Sequence, residues 1–413
     1  MPQTSLAGIP GNTSRRAMVA GGAGLAAAFL GAAFTGTARA QDATPGASAA
    51  AVPPFPPDEQ LALDQIVAER VGGQQVPGAV VGVAIPERGF WVSAQGIADL
   101  RTAAPITADD HFRIASVTKT FTATVVLQLV DDGKLGLDDT LETYVPGIPN
   151  GSTITIRQVL QMTAGIYDFS LDAQFMAAYD RDPSTLFTPD DVIAIVKRHG
   201  PDFAPGASLS YSDTNYFLLG LVIEQVTGMS AAQALQEHIF TPLGLTETSL
   251  PDTPEMPAPF ARGYIATSAT DDTLRDVTLS NPLSAWTAGG IVSTVADLQV
   301  WAVALGEGRL LSPETQRERL SFELIPGGSR LPVSYGLGIM DVAGFVGHNG
   351  AIYGYSTWVL YDPESKGSLV VLANRGELQT EFAGPIAVGI IDRLFPGRVE
   401  AAEAAPRQGM PAP

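Results

Sequence analysis

Apolar positions in the middle of the chain, from residue 113 to about 250, recur mainly at helical spacing. On either side they come in short runs bounded by glycine and proline. Ile114, Val117, Phe121, Val125 and Leu129 make one apolar stripe, while Ala123, Leu127 and Val130 extend the face that also carries Ser116 and Lys119. A helix apolar on both sides is buried, so the pattern predicts an interior helix running to about Val130. Further helices are expected over residues 155–162, 189–198, 214–226 and 231–238, with one capped by Asp58 through about Arg70 and a last one from about 382 to 394. Strand patterns occupy 79–85 and 90–96, a hairpin split by Pro86-Glu87-Arg88-Gly89, and return at 335–340, 353–361 and 368–373.

Strands at both ends with helices between them predict an α/β chain of the α+β type. Its antiparallel sheet is built by both ends of the domain, flanked by helices, with a mainly helical lobe inserted and a ligand cleft between lobes. The expected domain covers 58–397, with 58–112 and 285–397 as the sheet lobe and 113–284 as the helical lobe. Ahead of it, Ser14-Arg15-Arg16, the small-residue apolar run 17–34 and Ala38-Arg39-Ala40 give residues 1–40 the pattern of a twin-arginine signal peptide. Cleavage near Gln41 would place the protein in the periplasm or outside the cell; the alternative is an uncleaved anchor. Residues 41–57 read as a Pro/Ala-rich linker and 398–413 as a disordered tail, and no later segment reads as a membrane span.

The chain of 413 residues can bury a large core. Its 24 basic and 43 acidic residues leave a net charge of −19, which repels nucleic acid and anionic membrane, so neither is expected as a partner. There is no cysteine, which excludes disulfides, a thiol nucleophile and thiolate metal sites. His111, His199, His238 and His348 are far apart without paired metal spacing, so no metal and no cofactor are expected.

Ser116 and Lys119, three residues apart on a helix, project the same way. Of the four lysines (Lys119, Lys134, Lys197, Lys366), Lys119 has the least polar surroundings. Desolvation disfavours its charged form, and a neutral lysine can take the proton of a serine nucleophile. Near the start of the helix the backbone N–H of Ser116 can donate to an oxyanion. Tyr211-Ser212-Asp213 precedes another helix, where Tyr211 either relays protons, a nearby ammonium favouring its phenolate, or packs as an ordinary aromatic. Gly347-His348-Asn349-Gly350, just ahead of the strand at 353–361, either brings backbone close to a ligand or forms a turn with an exposed histidine.

Taken in order, Ser116-x-x-Lys119, Tyr211-x-Asp213 and His348-x-Gly350 resemble the three motifs of the penicillin-recognising serine hydrolases: class C β-lactamases, serine DD-carboxypeptidases and their esterase relatives. Val76-Pro77-Gly78, the stretch 154–160, the stretch 288–294 and Tyr335-Gly336-Leu337-Gly338 look similar too, so the likeness covers about residues 58–396. It implies a β-lactamase/transpeptidase-like fold in which Ser116 is acylated, Lys119 acts as base and Tyr211 transfers protons. It further implies that His348 helps bind a substrate carboxylate, with Asn349 and Gly350 beside it, and that the amides of Ser116 and Ala351 form the oxyanion hole. One departure stands out: the family's second motif usually ends in asparagine, whereas here it ends in Asp213, which when ionised accepts but cannot donate. The expected function is an exported acyl-enzyme hydrolase of a small-molecule, peptide or ester substrate, carboxypeptidase-like or esterase-like. A class C-type β-lactamase and a catalytically inactive binding protein for peptidoglycan fragments are the alternatives. A hydrolase of the G-x-S-x-G type is disfavoured because that pentapeptide is absent.

Overall fold

The computed structural model describes residues 53–72, 76–268, 271–325, 331–377, 380 and 382–404. The signal segment 1–40, the linker as far as 52 and the tail from 405 lie outside the described residues.

The first hairpin forms as Gly78–Ile85 and Gly89–Asp99, with Val81 opposite Ser93 and Val83 opposite Trp91. Gly78–Ile85 also pairs antiparallel with Gly367–Ala373, Val81 opposite Val371, so the two ends of the domain meet at the centre of one sheet. From there the sheet continues through Tyr355–Asp362, Phe345–Ile352, Met340–Val342, Val333–Tyr335 and Glu323–Leu324, with Ala104–Pro105 at its opposite edge. Every residue of Tyr355–Asp362 and Gly367–Ala373 is buried, which requires cover on both faces. Ser93 bonds Asp64 of the helix Pro57–Ala68, which packs with Gly384–Leu394 on one face. Gly82, next to Val81 and therefore on the opposite face, lies against Val295 and Gln299 of the helix Val295–Glu307.

The inserted helices are Thr118–Asp131, Ile156–Leu160, Ala173–Arg181, Pro189–His199, Asp213–Thr227 and Ala231–Leu235. Their starts follow local chemistry: Thr155 and Thr188 close capping boxes with Gln158 and Asp191, and Pro189 occupies a first-turn position where no N–H is needed. Thr118–Asp131 is buried on nearly all sides, and its Phe121 stacks on Trp301 with ring centroids 3.9 Å apart. Among the described residues no single helix is long and apolar enough to cross a membrane.

Several expected boundaries move. The first helix starts at Pro57 rather than being capped by Asp58. The strand expected at 335–340 is split into Val333–Tyr335 and Met340–Val342 by a turn in which Gly338 takes φ +76°. The His348 segment is not a turn before a strand but lies within its own strand, Phe345–Ile352. The hairpin Tyr264–Ser268 and Asp271–Asp276 was not legible as strand. The chain also stays ordered past 397: Arg398–Ala404 is a helix, Val399 is buried, and Arg398 pairs with Asp362 at 3.2 Å and with Glu364.

Candidate active site

Ser116 sits in a 3-10 turn, Ala115–Val117, that leads directly into the helix Thr118–Asp131. Ala115 takes φ +50°, a conformation that costs a non-glycine residue about 1–3 kcal/mol and persists only where the surroundings enforce it. Here they do: Ile114 O accepts from Thr357 Oγ1 at 2.8 Å, Ile114 N donates to Ile291 O at 2.9 Å, and Ile291 N donates to Thr118 Oγ1 at 3.1 Å.

Lys119, one turn on, is fully buried. Its Nζ donates to Ser116 Oγ at 3.0 Å, Asp213 Oδ1 at 2.5 Å and Ala288 O at 2.8 Å. Three acceptors surround the buried nitrogen, and one of them, the carboxylate of Asp213, supplies a counter-charge. The Ala288 carbonyl is held by the turn Trp286–Gly289, in which Thr287 O accepts from Thr122 and Thr287 Oγ1 donates to Tyr216 O.

Tyr211 places its ring 4.9 Å from Lys119 Nζ, and its hydroxyl is buried beside Ser116. Burial, then the Asp213 charge, hold the phenol well above its ordinary pKa, and nearby Ser116 opposes this only in part. The phenolate expected from a nearby ammonium is therefore not favoured: burial holds the proton on the phenol, and the Asp213 carboxylate adds to that effect.

Asp213 opens the helix Asp213–Thr227, where a negative charge suits the helix dipole. Behind it lies Asp168, which sequence reasoning missed. Its buried carboxyl accepts from Ser170 N at 3.0 Å and from the Asp213 amide. Desolvation and the Asp213 charge push it up to about 7. Phe169 N donates to Thr214 Oγ1, which donates in turn to Tyr167 O, tying this segment across the helix start. The one available signal was Asp168-x-Ser170, a turn-forming pair with no chemistry of its own.

The strand Phe345–Ile352 delivers the third motif. A Cβ on Gly350 would stand 2.8 Å from Ser116 N and from Ile114 O, so only glycine lets the strand lie this close to the serine turn. Ala351 and Ser116 line the same crevice, and half-buried Asn349 lies between Gly350 and His348 in the strand. His348 is not exposed: its Nδ1 meets the Asn349 carbonyl, so that nitrogen carries the hydrogen, and Nε2 accepts from Tyr335 Oη at 3.2 Å. Burial, together with the Lys119 charge, lowers its pKa to about 3. It is neutral at ordinary pH and offers no positive charge to a substrate carboxylate.

The crevice spans about 440 Å³ of empty space, open solvent at its mouth included. Ser116, Asp213 and Ala351 line it together with the aromatic side chains Phe169, Phe175 and Tyr179, which sequence reasoning also missed. No lysine, arginine or histidine is among the described residues that line it.

Residues 63–389 match the family model described as Beta-lactamase. The chain is 28% identical over 314 residues to penicillin-binding protein 4* of Bacillus subtilis (strain 168), covering 73% of this chain and 68% of that protein. It is 30% identical over 357 residues to penicillin-binding protein 4 of Amycolatopsis lactamdurans, covering 81% and 90%. Among solved structures, a D-stereospecific amidohydrolase from Streptomyces sp. superposes with a TM-score of 0.73 at 34% identity, covering 82% of this chain and 99% of that one.

Proposed function

The chain belongs to the beta-lactamase family, the penicillin-recognising serine hydrolases, and on that premise we propose that it is an amidase-like or esterase-like acyl hydrolase working through an acyl-enzyme on Ser116. The observation that carries this reading is the charge of the crevice: one carboxylate, Asp213, and no cation among its described lining. A substrate ending in a carboxylate, as D-alanyl-D-alanine peptides and β-lactams do, meets repulsion there rather than a counter-ion. Amides and esters with uncharged leaving groups do not, and the Streptomyces neighbour is by its description an amidohydrolase.

In this mechanism Ser116 Oγ bonds to the carbonyl carbon. Lys119 Nζ gives a proton to Asp213 Oδ1, 2.5 Å away, and the amine so formed takes the proton of Ser116 Oγ. The amides of Ser116 and Ala351 hold the oxyanion. As the scissile C–N or C–O bond breaks, Tyr211 Oη gives its proton to the leaving group and is reprotonated from Lys119. Water then attacks the acyl-enzyme, its proton returns along the same groups, and the acid departs with Ser116 restored. The retained serine, lysine and tyrosine argue against a non-catalytic binding protein. The arginine pair, apolar run and Ala38-Arg39-Ala40 site support export.

Steady-state hydrolysis of a panel tests the reading. Uncharged p-nitrophenyl esters and anilides should turn over, and D-alanyl-D-alanine peptides and nitrocefin should turn over slowly or only acylate. Efficient carboxypeptidase or lactamase turnover would reverse the assignment.

A further inference from the structure

We propose that Asp168 is a positioning residue for the reaction: by losing or keeping its charge behind Asp213 it sets whether the proton shared by Lys119 and Asp213 rests on the nitrogen or on the carboxylate. It thereby governs how readily Lys119 takes the proton of Ser116. This rests on the acyl-hydrolase reading above and adds a control on its first step by a group that touches no substrate.

The placement carries the argument. Asp168 is buried, and its carboxyl accepts from Ser170 N at 3.0 Å and from the backbone amide of Asp213, the residue whose side chain holds Lys119. Lys119 spends its donors on Ser116, Asp213 and Ala288, so Asp168 acts on it only through Asp213. Among the described residues no lysine, arginine or histidine pairs with Asp168. The turn does not need an acid, since an asparagine oxygen would accept from the same two amides. With desolvation and the Asp213 charge pushing the carboxyl up to about 7, what the acid adds over the amide is a charge that comes and goes near neutral pH.

The groups facing Asp168 are Tyr167 on its own segment, Asp213 and Tyr211 at the helix start and, beyond Asp213, Lys119. Both phenols are held above their ordinary pKa, by desolvation first, and stay neutral. Asp172, which also acts on Tyr167, is met by Arg198 and His199 at 2.6 and 2.8 Å.

When Asp168 ionises, its proton leaves through the crevice, which the neighbouring Phe169 and Ser170 line. The new charge stands nearer Asp213 than Lys119, so it raises the proton affinity of the carboxylate more than that of the amine. One N–H proton then moves from Lys119 to Asp213 Oδ1, 2.5 Å away, leaving the lone pair that takes the proton of Ser116 Oγ at 3.0 Å. With Asp168 neutral, the proton stays on Lys119.

The test follows the acylation burst of p-nitrophenyl acetate between pH 5 and 8.5, read at the isosbestic wavelength of the phenol and corrected with Ser116→Ala. This leaving group departs without taking a proton, so Tyr211 does not enter the readout. The parent rate should rise with a midpoint near 7. The rise should be about tenfold, the effect of one like charge that shifts a neighbouring group by a unit. Asp168→Asn should lose this limb and acylate at every pH at the parent's low-pH rate. An unchanged limb in the variant, no limb near 7 in the parent, or a folded variant slower than the parent at pH 5 would overturn the inference and leave the hydrolase standing. If the variant does not fold, the carbon-13 titration of the Asp168 carboxyl in the parent decides: a midpoint matching the acylation limb supports the inference, and a different one overturns it. No Ser116-dependent reaction with this ester or with the anilides above would overturn the hydrolase reading itself.

Discussion

Lys119 Nζ and Asp213 Oδ1 lie 2.5 Å apart, with the same nitrogen 3.0 Å from Ser116 Oγ. The lysine is therefore not isolated among apolar groups but one end of an ion pair whose other end faces the crevice. Removing Ser116's proton onto this pair moves charge along it instead of creating a new buried charge, and the same carboxylate gives the crevice its sign.

Replacing Lys119 with methionine keeps most of the volume but leaves no acceptor beside Ser116. Proton transfer by a positioned base contributes about 10²–10⁴-fold, so the acylation rate of an activated ester should fall within that range. A stopped-flow burst measurement reads it directly.

Gly350 lies against the serine turn, where a Cβ would stand 2.8 Å from Ser116 N. In Gly350→Ala the added carbon would push the strand Phe345–Ile352 away from Ser116 N, misplacing the Ala351 amide. A displacement of about 1 Å costs on the order of 10²-fold in rate. The loss should appear in kcat, with the circular dichroism spectrum of the folded chain retained.

Asp168 makes stability depend on pH. Its carboxyl titrates near 3.8 in the unfolded chain and at about 7 when folded, so the folded state holds that proton more tightly. The stabilisation is fully present below about pH 4 and is lost as pH rises through 7. Asp168→Asn removes the titration while keeping an acceptor for Ser170 N. The melting temperature of the variant relative to the parent should therefore rise between pH 5 and pH 8.5, by roughly 2–4 °C for each kcal/mol recovered. A difference that is flat with pH would contradict the raised carboxyl.

The motif residues were readable because each owes its type to local chemistry. A serine and lysine three apart on an apolar helix, a tyrosine at a helix entrance and a glycine beside a strand all announce themselves along the chain, and the structure brings Ser116, Asp213 and Ala351 to one crevice, with Lys119 bonded to the first two, Tyr211 beside Lys119 and Gly350 against the serine turn. The sheet built from both chain ends was legible for a similar reason, since Gly78–Ile85 and Gly367–Ala373 are plain apolar runs. What could not be read was set by contacts between distant segments. Asp168 looks like any turn aspartate until the helix Asp213–Thr227 begins against it. The acceptor at Ala288 is a backbone atom with no sequence signature. His348 looked exposed because a histidine between glycines suits a turn, yet pairing with Tyr355–Asp362 turns it inward to Tyr335.

That inward histidine carries its own prediction. With its pKa lowered to about 3 by burial and by Lys119, the His348 ring should stay neutral across the physiological range. Its folded-state value lies below the ordinary 6.5, so the stability it contributes is present above that pH and is lost as pH falls toward 3. In nitrogen-15 spectra its signals should stay fixed between pH 5 and 8, with Nδ1 as the protonated nitrogen; a midpoint near 6.5 would show that the ring reaches water.

The central claim is that the hydroxyl at 116 is the group acylated. Intact-mass measurement after exposure to a fluorophosphonate, which loses fluoride as the serine oxygen bonds to phosphorus, tests it most directly. The account predicts one adduct per chain, mapped to the peptide carrying Ser116 and absent from Ser116→Ala. An adduct on another residue, or an unmodified and fully folded parent chain, would contradict it.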